Sequence, residues 1–162
     1  MAKNKEEKTN VMRVLEQKKI AYTAHTYPHE EGVAVDGVTV AKSMGFDPAI
    51  VFKTLVARGA SKQYYVFDVP VAENLDLKKA AKAVGEKSIE MIHQKELLPL
   101  TGYVHGGCSP VGMKKLFPTV FHETAENLET MIVSAGKIGY QVELAPHDLA
   151  ALVRAKFADI IA

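Results

Sequence analysis

Apolar and polar positions along this chain switch between a helical and an alternating period, and the switches mark out its elements. Val11, Met12, Val14 and Leu15 recur at helical spacing, with Thr9 or Asn10 available as the cap. Ala21 to Thr26 reads as extended, and Glu30 to Gly37, with two glycines, as an exposed loop. A second helix is expected from about Val38 to Met44, stopped by Gly45, after which Asp47-Pro48 opens one short helical turn. Phe52 to Arg58 and Tyr64 to Val69 are β-rich runs separated by Gly59 and Ser61, which predicts a hairpin ended by Pro70. Asp76 to Val84 is expected to be a helix, with Leu77, Ala80, Ala81 and Val84 on one side and Gly85 at its end.

Beyond that helix the pattern is less regular. Ile89 to Ile92 reads as a short strand and His93 to Leu98 as a turn of helix. Val120-Phe121, Thr130 to Ser134 and Tyr140 to Leu144 read as strands, the last two joined through Gly136-Lys137-Ile138-Gly139. A closing helix is expected from about Asp148 to Phe157, with Leu149, Leu152 and Val153 inward. Strands and helices mix without regular β-α alternation, which favours a mixed sheet or partly closed barrel flanked by helices.

Composition narrows the class. The 162 residues are 48% hydrophobic and 24% charged, enough for one core, and no repeat or low-complexity linker divides them. One domain over residues 9–162 is therefore expected, behind a frayed lead-in through Lys8. The single cysteine excludes an internal disulfide framework. A net charge of +1 does not mark a nucleic-acid binder, so a polyanionic partner must be gripped by a local patch. With no apolar run of membrane-crossing length and no apolar stretch behind the charged N-terminus, a cytoplasmic protein is expected.

Two places could carry chemistry. Thr101 to Pro110 contains Gly106-Gly107, which permits close approach to the backbone, and Pro110 stiffens its exit. Such a loop can present N–H groups to a carbonyl or phosphate oxygen; the alternative is a tight turn between strands. It is neither a P-loop nor a dinucleotide fingerprint. Cys108 within it could be a nucleophile, activated by nearby dipoles or His105, or simply a small buried residue. His105, Cys108 and His122 lack the paired spacing of a zinc site. Lys53 interrupts an otherwise apolar strand, so it faces solvent, a cleft or an anionic partner. Lys78, Lys79, Lys82, Lys114 and Lys115 read as solvated faces.

Taken in order, several segments resemble the YbaK/EbsC family of aminoacyl-tRNA deacylases, relatives of the editing insertion domain of bacterial prolyl-tRNA synthetases. They are His25-Thr26-Tyr27, Val51 to Leu55, Leu75 to Ala83, Gly106 to Lys115, Val133 to Lys137 and Ala155 to Ile160. The resemblance implies an α+β domain, with a largely antiparallel, barrel-like sheet of six or seven strands surrounded by helices. It implies removal of cysteine from mischarged Cys-tRNA(Pro), and of Cys-tRNA(Cys) as well, by attack of the substrate's own thiol. It places catalytic roles on Lys53, Gly106 and Pro110, and substrate binding on Tyr27, Thr54, Gly107, Cys108, Ser109 and Ser134. An acidic pocket position of some members falls on Gln141, where the charge is missing. No cofactor or metal is implied. The implied partners are the 3′ end of an aminoacyl-tRNA and prolyl-tRNA synthetase, with no DNA or membrane. Competing expectations are a water-using editor of another small aminoacyl group such as alanine, a non-catalytic module binding a tRNA end or nucleotide, and a hydrolase or peroxidase built on Cys108.

Overall fold

A computed structural model describes residues 8–30 and 33–162. Of the expected lead-in, residues 1–7 lie outside the described residues, as do 31 and 32 of the Glu30–Gly37 loop. Lys8 Nζ donates to Glu16 Oε1 at 3.0 Å.

Helix α1 (Asn10–Gln17) starts where Thr9 Oγ1 accepts from the Met12 N–H, and it buries Val11, Met12 and Leu15. Asp36 caps α2 (Gly37–Ser43) in the same way, and Asp47 caps the 3-10 turn Pro48–Ile50. Asp76 caps α3 (Leu77–Val84), which ends on Gly85 at φ +74°. Helix α4 (Gln94–Thr101) runs three residues past the expected turn. Helix α5 is Pro146–Val153.

The strands form two sheets. β1 (Thr23–Thr26), β7 (Tyr140–Leu144) and β6 (Met131–Ser134) make an antiparallel sheet in the order β1-β7-β6. The other has the order β4-β2-β3-β5-β8, built from β2 (Phe52–Gly59), β3 (Tyr64–Pro70), β4 (Ile89–Met91), β5 (Thr119–His122) and β8 (Ala155–Ala158). Hairpin β2–β3 and pair β2–β4 are antiparallel, whereas β3–β5 and β5–β8 are parallel. A parallel bridge between Val51 and Ile132 joins the two sheets just before β2 begins. The result is the expected mixed, mostly antiparallel and partly closed arrangement, with eight strands among the described residues rather than six or seven.

The added strand comes from the end of the chain. The closing helix stops at Val153 instead of reaching Phe157, because Arg154 turns left-handed at φ +58°. Ala155–Ala158 then pairs with β5, setting Phe157 opposite Phe121 with ring centres 5.9 Å apart. The main core, including Val11, Leu15, Phe121, Met131, Val142 and Leu149, lies between the two sheets and helices α1 and α5. A second cluster, with Phe67, Val69, Ala80 and Ile160, seats α3 on the larger sheet. No helix among the described residues is long and apolar enough to cross a membrane.

Candidate active site

The chain touches the smaller sheet at the Val51 bridge and then enters the larger one as β2. Residues 51–55 therefore run along one wall of a cavity of about 490 Å³, completed by Tyr27, the segment 34–37, Leu97, the glycine loop and Ser134, Tyr140 and Gln141. This explains why β2 does not alternate: Lys53, Thr54 and Leu55 are all half-buried in succession. The volume suits a small ligand largely enclosed by protein.

Lys53 and Gly106, the strand-borne cation and the glycine loop, share this cavity. Tyr27, Thr54, Cys108 and Ser134 line it with them. Among the described residues no carboxylate pairs with Lys53, so its charge is available to a ligand. Ser134 Oγ accepts from the Gly136 N–H at 3.2 Å, which ties it to the β6–β7 turn.

Three expected site residues do not line the cavity. Ser109 is fully buried, and its Oγ accepts from the Val111 N–H at 3.2 Å. Pro110 is buried beside it. Gly107 packs its backbone on the β6–β7 turn, where a Cβ would lie 3.1 Å from the Ile138 nitrogen. Its N–H donates to the Val104 carbonyl at 2.9 Å and is spent on the turn. Of the loop residues that line the cavity, Gly106 and Cys108 have backbone N–H groups that donate to no carbonyl among the described residues, so these two, not the whole Gly106–Pro110 run, are the loop's candidate oxyanion donors. The loop is held from behind: Tyr103 donates its hydroxyl to the Val111 carbonyl, and Thr101 Oγ1 accepts from the Tyr103 N–H at 3.0 Å.

Gly106 has to be glycine twice over. Its φ is +89°, and a Cβ would lie 2.7 Å from the Ala34 Cβ. Gly106→Ala is therefore expected to push the 34–37 wall off the loop, lowering activity at least about tenfold and stability by roughly 1–3 kcal/mol. Gly45→Ala is the control, with φ +77° and nothing within 4 Å of the added atom. It should lower the melting temperature without touching turnover, and equal activity loss in both would sink the contact argument.

The surroundings of Cys108 disfavour its thiolate form. It is 7% exposed, and burial, with the Asp68 carboxylate adding to it, pushes the thiol up to about 12. Asp68 is the residue sequence reasoning missed. It stands opposite Thr54 in the β2–β3 ladder, is fully buried, and accepts from Thr54 Oγ1 at 2.5 Å. Burial pushes its carboxyl up to about 7, opposed by that hydrogen bond. The signal was available: an acid in the apolar run Tyr64 to Val69 is as anomalous as the lysine in β2.

Comparison with known proteins identifies the family. A profile of the aminoacyl-tRNA editing domain matches residues 32–152, a span carrying every wall of the cavity except Tyr27. The chain belongs to the aminoacyl-tRNA editing domain family. A relative from Enterococcus faecalis (strain ATCC 700802 / V583), named "Putative Cys-tRNA(Pro)/Cys-tRNA(Cys) deacylase EbsC", is 46% identical over 161 residues, covering 99% of this chain and 98% of that one. The solved "Crystal structure of a putative trans-editing enzyme for prolyl tRNA synthetase" superposes with a TM-score of 0.79 at 25% identity, over 94% of each chain. The structure of hypothetical protein APE2540 shares the fold, with a TM-score of 0.82 at 18% identity over 94% of this chain and 99% of that one. The editing-domain fold thus agrees with the resemblance read from the sequence.

Proposed function

We propose that this editing domain is a deacylase that removes cysteine from Cys-tRNA(Pro), and from Cys-tRNA(Cys), with no attacking atom of its own. The observation that carries the reading is a cavity holding a glycine loop and a lysine with no carboxylate partner among the described residues, in which burial keeps the one thiol protonated. An aminoacyl ester is already activated, so positioning and charge stabilisation suffice. Lys53 holds the terminal phosphate or ribose, or supports the carbonyl oxygen, while the N–H groups at Gly106 and Cys108 meet that oxygen as charge builds on it. The cysteinyl sulfur forms a bond to its own carbonyl carbon, the ester C–O bond breaks, and the thiol proton ends on the departing ribose oxygen. The cyclic thioester hydrolyses later. Requiring a substrate thiol separates cysteine from alanine and proline chemically, where fit alone is worth about 1–3 kcal/mol.

A panel of charged tRNAs tests this, read as amino-acid release. Cys-tRNA(Pro) should be deacylated, and alkylating its thiol should abolish the reaction. Release of alanine from Ala-tRNA(Pro) at a comparable rate would replace the thiol route with a hydrolytic one. Cys108→Ala should retain activity within about threefold; loss of turnover in a folded variant would restore a protein nucleophile. The near-neutral chain (net charge +1) supports weak intrinsic affinity for tRNA and delivery of the substrate in the cytoplasm by prolyl-tRNA synthetase. Adding the synthetase at physiological salt should then raise the rate on Cys-tRNA(Pro).

A further inference from the structure

A fully buried carboxylate is costly unless something compensates its charge, and the protein leaves Asp68 undercompensated. Its Oδ1 accepts one hydrogen bond from a neutral hydroxyl, that of Thr54, and its Oδ2 is buried with no hydrogen-bond partner among the described residues. Thr54 is part of the cavity wall, so this carboxylate lies one hydroxyl away from the ligand space. An ionised carboxylate has no hydrogen to give, so in that state Thr54 must donate. The hydroxyl is then left with lone pairs alone, backed by a negative charge. Across the same cavity Gln141 is 7% exposed, and its Oε1 is a second buried acceptor without a partner. An orphaned acceptor on the cavity wall at Gln141, and a buried carboxylate one hydroxyl behind that wall at Thr54, favour a ligand group that brings several N–H donors and a positive charge to this side of the cavity, away from the Lys53 ammonium. A thiol has one weak hydrogen and no charge; the α-ammonium of an aminoacyl ester has both.

We propose that Asp68 is a positioning residue that fixes the Thr54 hydroxyl as the acceptor for the substrate's α-ammonium group. The proposal deepens the deacylase reading and rests on it, since that reading supplies the aminoacyl ligand. Lys53 and the glycine loop serve the ester and ribose, while Thr54, charged through Asp68, reads the amino group. Every aminoacyl ester carries that ammonium, so this subsite orients the substrate, and the choice of side chain lies elsewhere in the cavity.

The test is a pair of stable probes, 3′-cysteinylamino-3′-deoxyadenosine and its 3-mercaptopropionyl counterpart, which lacks the amino group and keeps the thiol. Calorimetry near pH 7 gives the ratio of their dissociation constants for each protein. The wild type should favour the ammonium-bearing probe by about tenfold or more, the worth of a charged hydrogen bond. Thr54→Val and Asp68→Asn should each bring the ratio to within about threefold of unity, the double variant should lose nothing further, and Thr54→Ser should keep the wild-type ratio. A lesion of structure weakens both probes and leaves the ratio alone. A wild-type ratio near unity, or a wild-type ratio preserved in folded Thr54→Val and Asp68→Asn, overturns the proposal. Absence of release from charged tRNA, with the binding ratios as expected, would overturn the deacylase reading and leave the ammonium subsite standing.

Discussion

Lys53→Ala is expected to cut deacylation by about 100- to 1,000-fold while leaving the protein folded. The magnitude is that of removing one preorganised charge-stabilising group from a water-poor site, roughly 3–4 kcal/mol of barrier. The fold should tolerate the change because Lys53 is half-buried on a cavity wall and, among the described residues, pairs with no carboxylate. Its methylenes are the main loss, so the melting temperature should move by no more than a few degrees. Single-turnover release of cysteine from Cys-tRNA(Pro), with a thermal melt of the same sample, checks both halves. Lys53→Arg separates the roles: rescue means that charge alone is needed, and inactivity means that the compact ammonium is. Near-normal turnover in Lys53→Ala would remove the lysine from the mechanism.

The second large effect concerns stability, and its sign is opposite to that of most core substitutions. Asp68→Asn should stabilise the protein at pH 8 and do so progressively less as the pH falls toward 4. In the unfolded chain this carboxyl loses its proton near its ordinary value of 3.8, whereas in the fold burial holds the proton until about pH 7. Between those values the native state binds more protons than the unfolded state, so stability falls as the pH rises, and the full cost is present above about 7. A difference of about three units corresponds to at most about 4 kcal/mol. Asparagine keeps the size and an acceptor for Thr54 without the charge, so urea melts at pH 5 and pH 8 should diverge by roughly 2 kcal/mol or more. Parallel pH dependences for the two proteins would mean that the carboxylate is compensated in the fold.

What could be read from the sequence follows from how local each interaction is. The caps Thr9, Asp36, Asp47 and Asp76 act within three residues, and the starts of α1, α2, α3 and the 3-10 turn lie at or close to where they were expected. Hairpin β2–β3 was equally local. The closing segment was not: Leu149, Leu152 and Val153 carry a helical period that runs on smoothly into Phe157. Strand β8 exists because the exposed edge of β5, some thirty residues earlier, takes it up in parallel. The cavity divides the same way. Lys53 and the glycine pair were visible as breaks in local pattern. The pairing of Asp68 with Thr54 shows only in the strand register, and Gly107, Ser109 and Pro110 are held by contacts behind the loop, off the cavity wall.

The state of Cys108 has a chemical consequence for the proposed route. On the proposed route a strained cyclic acyl compound is released beside a protein sulfur, which as a thiolate would capture it and leave the enzyme acylated. With its thiol pushed up to about 12, Cys108 stays protonated at neutral pH, so on that route exchange onto the protein is suppressed and the product departs to water. The same suppression makes Cys108 a poor target for peroxide and for alkylating reagents, so any sensitivity of turnover to such reagents should trace to the substrate's thiol and not to this one.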